Sequence, residues 1–194
     1  MTLLEGAAEV ARFLEHEDIP YFLIGGLAVQ QWGEPRMTRD VDITVLVPSE
    51  ELPAAVDSVL AAFPPRITDA RAFALRHRVL LVEVEGEVPV DISLGIPGYE
   101  EEAVQRARWV HVPKGERLRM VSPEDLIIHK CVAGRPRDVE DVEGVLIRQR
   151  MAVDMHLIRR WLGEFQPLVD KHDPLELFDH ARSQAEWALE NPSP

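Results

Sequence analysis

Three aspartates in this chain stand where strands want apolar residues. Asp40 and Asp42 flank Val41 in RDVDITV, and Asp91 interrupts VPVDISL. Residues two apart on a strand share a face, so Asp40 and Asp42 project side by side while Val41 and Ile43 turn to the opposite layer. Neighbouring carboxylates repel and are costly to bury. A hard divalent cation, Mg2+ or Mn2+, removes that cost: it takes carboxylate oxygens and keeps positions open for substrate phosphates. Pairing of the Asp91 strand with the Asp42 strand would bring the third acid to the same face. Three carboxylates around two cations roughly 3.5–4 Å apart suit an in-line displacement at phosphorus. Asp91 is then a metal ligand, a general base, or both. The plainer alternative makes Asp40 a strand cap and leaves Asp42 and Asp91 facing water on a one-sided sheet.

Two further groups of residues bear on this chemistry. Gly25-Gly26 lies between a short apolar run and a helix start, where backbone N–H groups can come close to a phosphate. A glycine pair there is equally a simple tight turn. Arg36, Thr38 and Arg39 precede the acid pair, close enough along the chain to touch a phosphate or to shape the loop. Arg39 also serves as a surface charge balancing Asp40 and Asp42. Farther on, SPEDLIIHKCVAGRPRDVEDV carries Lys130, Arg135, Arg137, Asp138 and Asp141. Lys130 carries a compact point charge and reads by position as a solvated lysine favoured by a helix C-terminus. Asp138 can cap the helix that it opens, with Asp141 in the first turn. Neither His77 nor His111 has a partner at zinc-site spacing.

The elements that must position these residues follow from periodicity. Helical spacing of Leu3, Leu4, Ala7, Ala8, Val10, Ala11 and Leu14 predicts a helix over Thr2–Glu17. Tyr21–Ile24 reads as a buried strand, Gly26 onward as a short helix, and Val41–Val47 as a second strand closed by Pro48. A helix beginning near Ser49 is stopped by Pro64-Pro65. Val79–Val84 and Val88–Leu94 form a hairpin around Glu85-Gly86-Glu87, and Arg108–Val112 and Arg117–Val121 a second pair around Lys114-Gly115. From Ser122 the texture turns helical. Ser122 caps, Pro123 leads and Gly134 stops one helix. Others run from Asp138 to about Arg150, from Asp154 to Phe165 and from Pro174 to Leu189. The expected organisation is an α/β (α+β) core over 1–121, a small mixed sheet flanked by helices, followed by a helical region over 122–194, with NPSP as a frayed tail.

Composition narrows the classes. In 194 residues, 46% are hydrophobic, as in ordinary globular domains. Acids outnumber bases 34 to 21, and the net charge of −13 argues against a broad nonspecific nucleic-acid surface. Local basic stretches, Arg66–Val79 and Arg106–Arg119, can still form a rim for an anionic acceptor or serve as solvated faces. The single cysteine, Cys131, makes no internal disulfide and reads as a buried core residue. No basic leader precedes an apolar stretch, and no run approaches the roughly 20 residues of a membrane span. The expectation is a soluble cytoplasmic protein with no membrane partner.

The spacing of Gly25-Gly26, thirteen residues, then Asp40-Val41-Asp42 resembles the signature of the polymerase-beta-like nucleotidyltransferase superfamily. GGLAVQQWGEPRMTRDVDITV and SPEDLIIHKCVAGRPRDVEDV together look like the AbiE-type nucleotidyltransferase toxins and related small bacterial enzymes, over about Tyr21 to Val145. The resemblance implies a small mixed sheet with a helical C-terminal region. It implies transfer of a nucleoside monophosphate from an NTP, with release of pyrophosphate. It assigns Lys130 to the NTP phosphates, Asp138 to the site, and phosphate steering to Arg135. Acceptors in play are a tRNA end, a partner protein or a small hydroxylated molecule such as an aminoglycoside, and a toxin role would bring an antitoxin partner. The alternative is a catalytically silent NTP-binding or partner-regulating module of the same fold. A metal-dependent phosphodiesterase is disfavoured by the lack of histidine-rich motifs.

Overall fold

The computed structural model describes residues 1–85, 88–95, 98–113 and 116–192. The expected turn residues Gly86, Glu87, Lys114 and Gly115 and the tail residues Ser193 and Pro194 lie outside them. The chain divides into two compact units, one of Met1–Leu27 with Met37–Val121, the other of Ala28–Arg36 with Ser122–Pro194.

The first unit is built on a six-stranded mixed sheet of order β3-β4-β2-β1-β6-β5. Its strands are β1 (Tyr21–Ile24), β2 (Val41–Val45), β3 (Val79–Val84), β4 (Val88–Leu94), β5 (Arg108–His111) and β6 (Arg117–Met120). The pairs β2–β4 and β1–β6 are parallel; β1–β2, β3–β4 and β5–β6 are antiparallel. Strands β2 and β4 bury alternate residues: Val41, Ile43, Val90 and Ile92 are at most 1% exposed. That alternation turns Asp42 and Asp91 to the other face.

Helix α1 (Leu3–His16) starts as the apolar spacing predicts, because Thr2 and Glu5 cap each other reciprocally at 2.8 and 3.3 Å. It buries Ala7, Ala8, Val10, Ala11 and Leu14. Helix α2 (Gly25–Trp32) follows β1 without a loop, one residue earlier than expected. Strand β2 ends at Val45 rather than Val47; the Leu46 N–H turns instead to the Pro20 carbonyl at 2.8 Å. Helix α3 (Leu52–Ala62) begins after the Ser49 turn. Two short helices lie outside the periodicity reading, α4 (Ala70–His77) and α5 (Tyr99–Arg106). Each is eight residues long, too short for a helical repeat to stand out. Three acids, Glu100 to Glu102, favour α5 through its N-terminal dipole.

The second unit is helical: α6 (Pro123–Ala133), α7 (Pro136–Arg148), α8 (Met155–Phe165) and α9 (Pro174–Glu190). The Ser122 hydroxyl accepts the Asp125 N–H at 3.0 Å, so α6 starts where its cap predicts. It ends at Gly134, whose φ of +59° favours glycine, and where a side chain would strike the His172 ring. Helix α7 begins at Pro136, two residues before the expected Asp138. Asp138 is therefore not the cap; it sits inside the first turn and accepts the Arg135 N–H at 3.0 Å. Ile127, Ile128 and Cys131 are fully buried, whereas Val132 is only half-buried. The mixed α/β class with its helical C-terminal part is the expected one.

Candidate functional site

In the first unit, Asp42 and Asp91 are direct register partners on the parallel pair β2–β4. In-register positions on paired strands share a face, so the two carboxylates stand together. Asp40, just before β2, adds its charge to theirs. All three are half-buried. Burial raises the Asp91 carboxyl above its ordinary value; the Arg66 guanidinium opposes that rise and the Asp40 charge reinforces it.

The glycine pair fits around these acids. Ile24, the last residue of β1, is the register partner of Asp42, and Gly25 then turns with φ +65°. A Cβ on Gly25 would run into the Asp42 carboxylate, and one on Gly26 into the Thr38 side chain. The start of α2 thus lies against Asp42. The Thr38 hydroxyl donates to Asp40 Oδ1 at 3.0 Å, so this residue shapes the loop before the acids. Arg39 is exposed.

The donor chemistry suits a hard divalent ion: three carboxylates of one face, and no softer ligand among them. They are not drawn around one point. Among the described residues, no group of three His, Cys, Asp or Glu side chains is placed to hold a metal ion. Asp91 is instead taken by Arg66, whose Nη2 donates to Asp91 Oδ1. Sequence reading placed Arg66 only in a basic stretch. With the partners 25 positions apart, no local spacing connects them.

Two more arginines of that stretch are also spent internally. Arg71 pairs with Asp57 at 2.6 Å, and Arg78 donates to the Leu94 and Gly95 carbonyls at 2.8 and 2.6 Å. On β5–β6, the exposed Trp109 carries the guanidinium groups of Arg117 and Arg119 at 4.4 and 5.7 Å from its ring centre. A cavity of about 670 Å³ opens near Met1, Glu5, Glu9, Val112 and Glu116; none of the expected site residues lines it.

In the second unit, Lys130 is not a solvated helix lysine. Its side chain is 12% exposed, and its Nζ lies 2.7 Å from Asp138 Oδ1 and 2.8 Å from Asp141 Oδ2. Asp141 also accepts two hydrogen bonds from Arg36, Nε to Oδ1 at 2.7 Å and Nη2 to Oδ2 at 3.0 Å. Two cations and two carboxylates thus form a compensated cluster around buried Asp138 and Asp141. Burial alone would raise the Asp141 carboxyl; hydrogen bonds and charge from Arg36 and Lys130 outweigh it and hold the group low.

Arg36 does not stand alone in binding its segment to α7. Gln149 donates to the Trp32 carbonyl at 2.8 Å and Arg148 to that of Gly33 at 3.3 Å. Side chains at Gly33 or Gly144 would press on Val145 and on the Glu34 N–H. Arg135 is exposed, and its backbone N–H is held by Asp138. Asp141, a first-turn acid by its spacing, is the centre of this cluster. Its i+3 spacing from Asp138 on one helix face is the signal that points to a shared partner.

The first unit thus joins a mixed six-stranded sheet, a register pair of aspartates and a strand–glycine–helix turn. The chain belongs to the family described as nucleotidyltransferase of unknown function (DUF6036), whose model matches residues 1–170. An antigenic nucleotidyltransferase-like protein from Paracoccidioides brasiliensis is similar in fold, with TM-score 0.53 and 16% identity, covering 89% of this chain and 90% of that one. The lincomycin-bound lincosamide antibiotic adenylyltransferase LnuA aligns with TM-score 0.45 and 13% identity over 71% of this chain and 92% of its own. ANT(2")-Ia in complex with adenylyl-2"-tobramycin aligns with TM-score 0.44 and 17% identity over 92% and 94%. No curated protein matches the chain. Among the described residues, no helix is long and apolar enough to cross a membrane.

Proposed function

We propose that this chain transfers a nucleoside monophosphate from an NTP to a hydroxyl acceptor. The observation that carries the reading is the register pairing of Asp42 with Asp91 beside the Gly25 turn. Asp40, Asp42 and Asp91 would hold Mg2+ or Mn2+. Such an ion supplies Lewis-acid neutralisation of phosphate charge. The chain's own part is to orient. Gly25 and Gly26 let the start of α2 approach a phosphate, and Thr38 fixes Asp40. In this reading Asp91 would accept a proton from the acceptor hydroxyl.

Within the second unit, the sequence resemblance supports phosphate contact by Lys130 and a site role for Asp138, with Arg135 steering phosphate. Acceptors of three kinds suit a hydroxyl nucleophile: a tRNA end, a partner protein or a small hydroxylated molecule. Kinship with the AbiE-type toxins, and with it an antitoxin partner and a cytoplasmic toxin role, rests on the quoted sequence blocks.

The test is nucleotide labelling. Full-length protein is incubated with Mg2+ and each α-labelled NTP, with total RNA, lysate protein or aminoglycosides as acceptor, beside Asp42→Asn. Label on one acceptor class, lost at least about a hundredfold in the variant, is the expected result, since removing a transition-state charge contact costs that much. Label undiminished in Asp42→Asn would overturn the assignment of the acid pair.

A second reading, a silent NTP-binding module, is favoured by one observation: Lys130 is already committed to two carboxylates. It predicts NTP binding by calorimetry with no label on any acceptor.

A further inference from the structure

Pro64-Pro65 ends α3 and lays the next residues along β3. The Glu83 N–H donates to the Pro64 carbonyl and the Arg66 N–H to that of Leu81, each at 3.0 Å, and Pro65 bridges to Val82. Leu81 is the register partner of Asp91, and Asp91 that of Asp42. The backbone thereby places Arg66 in line with a row that crosses the sheet through both aspartates. From there its guanidinium reaches over β3 and takes Asp91 Oδ1. The two side chains are 27% and 33% exposed, so a solute can reach the pair from solvent.

Three carboxylates of one face repel, and a monovalent cation at their edge lowers that repulsion. It does so by occupying an oxygen that a divalent ion would need. We propose that Arg66 is a positioning residue that acts as a resident counter-ion, holding Asp91 until a divalent cation displaces it. Cation binding and opening of the Arg66–Asp91 pair are then a single exchange. This rests on the reading of Asp40, Asp42 and Asp91 as cation holders. It goes beyond that reading by explaining why these acids share a face without being drawn together.

The consequence has a sign that a merely structural arginine would not produce. Removing the guanidinium frees a ligand and deepens the negative potential, so a divalent ion binds more tightly. Mn2+ alone, titrated against the full chain and followed by the loss of free-ion electron paramagnetic resonance signal, reads this without any turnover. Arg66→Gln is compared with wild type and with Arg71→Gln, which removes the same charge from the exposed pair with Asp57. The Mn2+ dissociation constant should fall about tenfold in Arg66→Gln, on the scale of one close charge pair in a half-wet site. It should stay within about twofold in Arg71→Gln, because exposed pairs are screened. Equal or weaker binding in Arg66→Gln, with wild type binding, overturns the counter-ion role and leaves the proposed function standing. Equal tightening in both variants assigns the effect to net charge and overturns it too. No binding by any chain overturns the cation reading of the three aspartates together with this inference. Should Arg66→Gln fail to fold, Arg66→Met keeps the aliphatic stem and is read in the same way.

Discussion

Gly25 and Asp42 are held so closely that no side chain fits between them: a Cβ on Gly25 would occupy the space of the Asp42 carboxylate. The glycine is favoured by its φ of +65° and required by the acid beside it. The glycine pair and the aspartate pair, thirteen residues apart in the chain, are therefore one structural feature.

Replacement of Gly25 by Ala should lower stability by about 1–2 kcal/mol from the left-handed backbone alone, with more from displacing Asp42. Gly163 in α8 is the internal comparison. It is exposed and a Cβ there meets nothing within 4 Å, so Gly163→Ala should stabilise by roughly 0.5–1 kcal/mol. Urea midpoints of the two variants should move in opposite directions. Equal shifts would refute the steric account of Gly25.

Lys130 compensates Asp138 and Asp141, whose side chains are 4% and 3% exposed. Lys130→Met keeps the stem and removes the charge. It should destabilise the chain by about 3–5 kcal/mol, the usual cost of stranding a buried carboxylate. The expected effect is a lower urea midpoint with unchanged slope. Arg71→Gln, whose pair with Asp57 is about half exposed on both sides, should leave the midpoint where it is.

Acid should weaken the fold through two groups of the second unit. Asp141 is held below the usual carboxylate range despite burial, by Arg36 and Lys130. Its contribution is present above the unfolded value and is lost as pH falls through the folded one. His129 reaches the surface in part, but its ring Nε2 is enclosed. Burial lowers its pKa from 6.5 to about 4, with Asp125 opposing and Lys130 assisting. The unfolded chain takes up that proton first, so stability falls from about pH 6.5 down to about pH 4, by up to about 3 kcal/mol. Thermal melts across this range should show the decline. In His129→Gln the part above the carboxylate range should vanish, and a decline unchanged in that variant would exclude His129 as its source.

Much of the frame can be read along the chain because its signals are local. Tyr21–Ile24, Val79–Val84 and Val88–Leu94 are apolar runs bounded by glycine, charge or turn residues, and they form those strands. Ser122 and Gly134 bound α6 through contacts no more than four residues away. Helices α4 and α5 escaped because one lies in a charge-rich stretch and the other packs three acids into its first turn. Of the two readings open for Asp138, the cap fails because Pro136 starts α7 two residues sooner, with Asp138 accepting from Arg135 inside the turn.

The sequence by itself determined which residues are chemically out of place: acids in apolar strands, a glycine pair between strand and helix, a lysine and two acids flanking a helix break. Residue type and local spacing carry that information. Only the tertiary structure decided who neutralises whom. Strand register set Asp42 against Asp91, the path after Pro65 brought Arg66 to Asp91, and the packing of α7 gave Asp141 to Arg36 and Lys130. A charge accepts any opposite partner within reach. Where the partners lie 25 or 105 residues apart, reach is a property of the folded chain alone.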